Sequence, residues 1–242
     1  MNIHTELLPR EEASDVVIIV DTLRSCTAAS VAFQQGLSTL DFTPSLRVAR
    51  RAGAEFGLLL LGERRGMVPE GFNHSNSPVQ LRQLDLAGKA ALMVSENAPH
   101  AVGFHAGARH VLLGSLHNAA AVAARAAELA QTSITVTCSG FRDEEDLDDS
   151  ITAAYITAQL KQLLPDAASG GADALLNSLL RAFPDPLDAL WHSTAGRYLR
   201  RLEHAGDIGM AGCVSVSTHV PERTEVIRTA DGSDLQRFTV RT

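Results

Sequence analysis

Apolar residues in this chain fall into short runs separated by stretches with helical spacing, and the two alternate six times. Residues 15–20 open with Asp15 and continue as an unbroken β-branched run, which predicts a strand buried on both faces. Residues 25–35 read as a helix closed by Gly36. Further strands are predicted at 38–42, 56–61, 90–94, 111–113 and 134–137, with helices at 46–52, between 94 and 111, at 118–131 and at 148–164. Another helix opens at Asn76-Ser77-Pro78, where Asn76 or Ser77 caps and Pro78 fits the first turn. Alternation of this kind predicts an α/β fold, a three-layer α/β/α arrangement with a largely parallel sheet, which two similar halves could build.

Beyond residue 164 the pattern is less regular. Residues 165–171 read as a linker, 172–183 and 196–205 as helices, and 213–217 as one more strand. Residues 225–229 and 236–240 flank Asp231-Gly232, a hairpin signal. We therefore expect an α/β core over residues 1–164 and a C-terminal α+β portion over 165–242 packed on it. The alanines at 119–127 give a helix face small enough for close packing, and such a face suits a homodimer contact.

Composition narrows the function. The core must be aliphatic, because 45% of residues are hydrophobic and only 5% aromatic. Phosphate contacts along a nucleic acid need clustered bases, whereas this chain has a net charge of −7 and two lysines, Lys89 and Lys161. Cys26, Cys138 and Cys213 show no CxxC spacing and form no disulfide framework, which points to a reducing compartment. Residues 1–10 lack a basic flank followed by an apolar run, and no apolar stretch is long enough for a membrane span. The expectation is a cytoplasmic protein with no membrane or nucleic-acid partner.

Polar clusters recur at one kind of position. Asp21 and Arg24 follow the first predicted strand, Glu63 and Arg64 the third, Ser95, Glu96 and Asn97 the fourth, and Cys138, Ser139 and Gly140 the sixth. Ligands of open α/β sheets bind beyond the carboxyl ends of the strands, where helix amino termini favour anions. Asp21, Glu63 and the Asp148-Asp149 pair supply hard oxygen ligands suited to Mg²⁺, and Arg24 and Arg64 could clamp an anion. The loop over residues 62–78 packs glycines, prolines, acids, arginines and asparagines into a stretch too long for a simple turn, a mark of function.

Other candidates carry less. Cys138 and Arg142 are separated by three residues, too few for the loop of a cysteine phosphatase. His100, His105 and His110 are spaced by five and share no helix face, so zinc binding is not expected of them. His74 lies inside the long loop and is the better histidine for touching ligand or shuttling a proton. The acidic run over residues 143–146 reads as solvated, and Trp191 and Tyr198 as core or interface residues.

Three motifs carry a resemblance to the 2-phosphosulfolactate phosphatase (ComB-like) family. Asp21-Thr22-Leu23-Arg24-Ser25-Cys26-Thr27 resembles the family's Asp-x-Leu/Phe-Arg-Ala-Thr/Ser-Thr motif. The run GERRGMVPEGFNHSNSP is similar to its long Gly-Glu-Arg…Glu-Gly-Phe…Asn-Ser-Pro signature. Cys138-Ser139-Gly140, followed by Leu147-Asp148-Asp149, resembles its Cys-Ala-Gly…Leu-Glu-Asp element, and weaker similarity continues through Ser193, Gly196, Leu199, Asp207 and Pro221. The resemblance implies a Mg²⁺-dependent hydrolase of 2-phosphosulfolactate, an activity that belongs to coenzyme M biosynthesis, or of a related small anionic phosphate ester. It implies Asp21 and Glu63 at the metal, with Asp149 as a third acidic group of the catalytic set. Arg24, Thr27, Arg64, Glu70, Asn73, His74, Asn76, Ser77, Asn97, Cys138 and Ser139 would bind substrate. The attacking group is either metal-activated water or the Asp21 carboxylate.

One stretch departs from the family. Its Thr-Thr-Asn-Gly-Thr-Arg-Ala-like loop is here Ser95-Glu96-Asn97-Ala98-Pro99-His100-Ala101, which drops the glycine, the arginine and most hydroxyls. That loss motivates an alternative expectation, a binding protein for organic anions or phosphate esters without turnover.

Overall fold

The computed structural model describes residues 1–10 and 15–240. Among these, ten strands form one sheet in the order β4-β5-β3-β10-β9-β6-β2-β7-β1-β8. In chain order they are β1 (Asn2–Glu6), β2 (Val16–Val20), β3 (Thr39–Thr43), β4 (Leu59–Gly62), β5 (Ala90–Val94), β6 (His110–Gly114), β7 (Ser133–Cys138), β8 (Ala168–Gly171), β9 (Pro221–Arg228) and β10 (Asp234–Val240). The helices are α1 (Ser25–Gln34), α2 (Leu46–Phe56), α3 (Pro78–Leu81), α4 (Ala98–Phe104), α5 (Ala119–Leu129), α6 (Leu147–Leu163), α7 (Asp173–Ala182), α8 (Pro186–His192), α9 (Thr194–Arg201) and α10 (Ala205–Ala211). The sheet is mostly parallel with helices flanking it, as the alternating pattern predicts.

The sheet is built from two parallel blocks. β4, β5 and β3 pair in parallel, as do β6, β2, β7, β1 and β8. Between them lies the β9–β10 hairpin, antiparallel to β6 on one side and to β3 on the other. Three successive antiparallel steps make the two blocks run opposite ways along the ladder. Both blocks nevertheless pack against α1: Val17, Ile19, Val111 and Leu113 from one and Leu40, Phe42, Leu61 and Met93 from the other share a core with its Ala28, Ala29, Ala32 and Phe33. A helix enclosed in this way needs small side chains, and SCTAASVAF is buried at every position. Twist accumulated over the intervening strands lets the sheet curl around it.

The hairpin is held where it is by charge as well as by its ladder. Arg237 on β10 lies opposite Asp41 on β3, and its Nε and Nη2 each donate at 2.8 Å to the fully buried carboxylate. This two-pronged arrangement satisfies an acid that burial would otherwise make costly.

Several sequence expectations need correction. Phe56 ends α2 rather than opening a strand, because Gly57 adopts a left-handed conformation (φ 67°) and delays β4 to Leu59. The expected strand at 213–217 is irregular chain, its Ser215 and Ser217 amides donating to Leu116 and His117 carbonyls. The expected linker at 165–171 contains β8, which pairs with β1, itself unpredicted. Residues after 164 thus add one strand to an edge and two to the middle of the sheet. On α5, Ala119, Val122, Ala123 and Ala126 are buried in the core shared with α6, and Ala120 and Ala124 stay exposed on the other side.

Asp15 closes the start of β2. Its Oδ2 accepts amides from Gln131, Thr132 and Ser133 and the Thr132 hydroxyl, tying β2 to the chain entering β7. Those hydrogen bonds outweigh burial and hold its pKa down at about 2, against 3.8 ordinarily. The carboxylate therefore contributes stability above pH 4, roughly 2 kcal/mol at the rate of 1.36 kcal/mol per unit, which is lost as pH falls through 2. Asp15→Asn should lower unfolding free energy by about that amount at pH 7. In denaturant titrations the gap between wild type and variant should narrow as pH drops from 4 toward 2; a pH-independent gap would contradict the assignment.

Candidate active site

The sequence folds its first motif into a tight corner. β2 is wholly buried and delivers Asp21 at its carboxyl end, 3% exposed. Asp21 Oδ1 accepts the Ser25 amide of α1 at 3.0 Å, and Oδ2 accepts the Ala98 amide of α4 at 3.1 Å. Ser25 Oγ donates to or accepts from Ser95 Oγ, 2.7 Å away, at the carboxyl end of β5. The carboxyl ends of β2 and β5, from oppositely running blocks, therefore meet at the amino end of α1. The site is a junction of two rims rather than one rim of a single parallel sheet.

A second layer braces that corner from behind. Asp149, in the first turn of α6, accepts the Thr22 amide at 2.8 Å, the Gly140 amide at 3.0 Å and the Ser139 hydroxyl at 3.2 Å. Asp148 accepts the Leu23 amide at 3.2 Å. Both acids are buried, and neither borders the cavity described below. Asp149 thus ties β2 to β7 and holds the corner in shape. Asp146, expected in a solvated run, is buried as well; it accepts the Leu147, Thr194 and Ala195 amides, capping α6 and α9 together.

A cavity of about 70 Å³ opens at the junction, lined by Asp21, Arg24, Ser25, Glu63, Asn76 and Ser95 on its floor side. That volume holds a handful of waters or one small group. Glu96, Asn97, Arg65, Phe141 and Arg142 complete the walls, and Ala195, Tyr198 and Leu199 of α9 cover them. Tyr198 is therefore a cavity residue rather than a core or interface residue alone.

Arg24 is the buried cation. Its Nη1 donates to Asp207 Oδ2 on α10 at 2.8 Å, while Asp207 Oδ1 accepts the Ser77 hydroxyl at 2.5 Å and the Val79 amide at 3.3 Å. Ser77 thus serves the site at one remove: it caps α3 and orients Asp207, which orients Arg24. Removing Asp207 would strand a buried charge, a change that costs about 3–5 kcal/mol where measured.

The long loop is more structural than its composition predicts. It returns alongside the outer edge of β4, with Asn73 and His74 amides donating to Leu60 O, Gly62 N donating to His74 O, and Asn73 Oδ1 accepting the Leu60 amide. Asn73 and His74 therefore cover a sheet edge and lie outside the cavity lining. Glu70 is exposed, its carbonyl held by Arg50. Arg64 points elsewhere too, its Nη1 on Glu96 at 2.5 Å and Nη2 on Pro44 O at 2.9 Å. The cavity arginine of this loop is Arg65.

Thr27 bonds the Thr22 carbonyl, and Cys138 is buried in the core at the end of β7. Burial, reinforced by the Asp149 and Asp148 charges, pushes the Cys138 thiol well above its ordinary range, which leaves it inert as a nucleophile. Ser139 contacts Asp149 and lines a separate surface depression with His100 and Phe104. Of the expected substrate contacts, Arg24, Asn76 and Asn97 border the cavity, together with Asp21 and Glu63.

Electrostatically the corner is rich in acid. Burial raises Asp21 above the usual carboxylate range, against the amides of Ser25 and Ala98 and the Arg24 charge. Burial and then Asp21 push Asp149 up to about 8, and burial with Asp149, Asp146 and Asp21 pushes Asp148 well up. Clustered carboxyls of this kind are relieved by a bound cation. The described residues contain no group of three or more His, Cys, Asp or Glu placed to hold a metal. The cavity does offer the Asp21 and Glu63 carboxylates and the Asn76 Oδ1, which is buried with no hydrogen-bond partner. An all-oxygen set with one or two carboxylates fits Mg²⁺, which usually keeps several waters, and does not fit zinc.

Comparison with known proteins decides the family. A model of the 2-phosphosulpholactate phosphatase family matches residues 2–225. The chain belongs to that family. It is 35% identical to a probable 2-phosphosulfolactate phosphatase of Thermus thermophilus, over 91% of this chain and 94% of the relative. Proteins with the same name from Deinococcus radiodurans and Synechococcus sp. are 34% and 31% identical, over 91% and 92% of this chain and 92% and 96% of those relatives. Membership makes this chain an enzyme of the phosphatase class, a phosphoric monoester hydrolase. No helix among the described residues is long and apolar enough to cross a membrane.

The Ser77–Asp207–Arg24 chain makes a testable prediction for this phosphatase. Asp207→Asn should keep the protein folded yet cut kcat/KM by about 10–100-fold, the range expected for a lost charge-assisted bond. Asp207→Ala should also lower the melting temperature by several degrees. Unchanged kinetics in Asp207→Asn would show that Arg24 needs no such orientation.

Proposed function

We propose that this enzyme hydrolyses the phosphate ester of 2-phosphosulfolactate, or of a closely related small phosphorylated hydroxy acid, with Mg²⁺. The observation that carries the reading is the cavity in which Asp21, Glu63 and the orphaned Asn76 Oδ1 stand beside the buried Arg24. Arg24 would hold a phosphoryl oxygen, its charge kept in place by Asp207. Because the Ser25 and Ser95 hydroxyls bond each other, the pair keeps one free proton at the cavity wall for a further oxygen. Asp21 would either attack phosphorus or orient a water that does so; the helix amides on its oxygens hold its geometry. When bound, Mg²⁺ would lie with Asp21, Glu63 and Asn76 and would neutralise charge on the phosphoryl group. Tyr198, Leu199 and Ala195 cover the cavity and limit water around the reacting group.

The alternative of binding without turnover rests on the altered loop at residues 95–101. Its residues make connections that hold the corner together. Ala98 still gives its amide to Asp21, and Pro99 lies in the first turn of α4, where no donor is needed. Ser95 and Asn97 still line the cavity. These features support the catalytic reading.

Purified enzyme should release inorganic phosphate from 2-phosphosulfolactate when Mg²⁺ is supplied and lose that activity with a chelator. Asp21→Asn and Glu63→Gln should each reduce kcat by about 10³-fold or more, as expected when a group acting in the transition state is removed. Mg²⁺ should raise the melting temperature of wild type and not of Asp21→Asn. Full activity in both variants would remove the proposal.

A further inference from the structure

β4 and β7 each end in the same small device. After β4, Arg64 and Met67 bridge, with Arg64 N donating to Met67 O at 2.9 Å and Met67 N to Arg64 O at 3.2 Å. After β7, Phe141 and Glu144 bridge likewise, at 2.8 and 3.2 Å. The two central residues of each turn take positive φ: 55° at Arg65 and 79° at Gly66, 57° at Arg142 and 63° at Asp143. Such two-residue hairpins favour asparagine, aspartate and glycine, and an arginine in the first central position carries a steric cost. Strain of this sort concentrates at functional sites, and both arginines line the cavity.

Their surroundings point the same way. Among the described residues neither Arg65 nor Arg142 has a hydrogen-bonded or ion-paired acid, whereas Arg24 is held by Asp207 and Arg64 by Glu96. The Arg142 guanidinium lies 5.0 Å from the Phe141 ring centroid and 5.4 Å from that of Tyr198. Phe141 and Tyr198 are themselves in contact, with centroids 5.8 Å apart. Rings so placed steady the cation without neutralising it, which lowers the cost of ordering it on a ligand. Gly66 fits closely beneath Leu202, so the Arg65 turn is docked on the end of α9. Arg24 is buried in the wall of this cavity, and the exposed Arg65 and Arg142 line the same cavity.

We propose that Arg65 and Arg142 form an anion clamp that reads the non-reacting acidic groups of the substrate. The site would select small phosphomonoesters that carry a second strong anion, a sulfonate or carboxylate, on the carbons next to the ester. This rests on the phosphatase reading above and adds the residues that set its specificity. A planar guanidinium suits both sulfonate and carboxylate, and charge-assisted bonds from two such groups separate an ester with three acidic groups from a simple ester.

The test uses three substrates that differ in one group each: 2-phosphosulfolactate, 2-phospholactate without the sulfonate, and isopropyl phosphate with neither acid. For wild type, kcat/KM should fall in that order. Arg65→Ala and Arg142→Ala should each lower kcat/KM for 2-phosphosulfolactate by about 10–100-fold more than for isopropyl phosphate, mainly through KM. Equal losses on all three substrates, or no loss on the first, would overturn the clamp. If wild type releases phosphate from none of them, the proposed reaction fails, and calorimetric titration with sulfolactate and lactate decides the clamp alone. Tighter binding of sulfolactate that both variants abolish supports it; equal affinity for the two acids overturns it.

Discussion

Everything at the site depends on the burial of one carboxylate. Asp21 is taken out of water at the end of a strand with no exposed residue, and its two oxygens each accept an amide that comes to it. One comes from α1 and the other from α4, so the same side chain sets the angle between two helices and joins two halves of the sheet. The fully enclosed α1, built from small residues, is what allows the halves to approach closely enough for this contact. Packing and polar satisfaction thus specify a single arrangement, and the cavity is what remains between them.

That arrangement concentrates acid. Asp148 and Asp149 pin the Asp21 corner through backbone amides, and burial drives their pKa values up. Arg24 answers only part of the charge, because Asp207 shares it. The proposed cation and the substrate anion each make the other's burial less costly, which is how a chain with net charge −7 can attract a multiply charged ester. Arg65 and Arg142, steadied by turns and rings, add positive charge at the cavity wall.

The parts of this picture that could be read in the sequence are those encoded locally. The run VVIIV followed by Asp-Thr-Leu-Arg marks a buried strand and its active end, and the hairpin about Asp231-Gly232 is signalled by its turn residues. β1 and β8 escaped because five and four residues, the latter Ala-Ser-Gly-Gly, carry little propensity; they form by pairing with each other beside β7. Asp207 lies 183 positions from the arginine it orients, and no periodicity links them. Arg64 and Arg65 are adjacent, and only the folded turn shows that the second lines the cavity while the first bonds Glu96 and the Pro44 carbonyl. A signal was present at both turns, a pair of two-residue hairpins following strand ends, but it emerges only when the β4 and β7 corners are compared.

The most direct test of the central claim is anomalous diffraction from crystals grown with Mn²⁺ in place of Mg²⁺. The account predicts one strong peak in the cavity between the Asp21 and Glu63 carboxylates, absent in crystals of Asp21→Asn. A peak elsewhere in the molecule, or a cavity with no peak beside an intact Asp21, would contradict it.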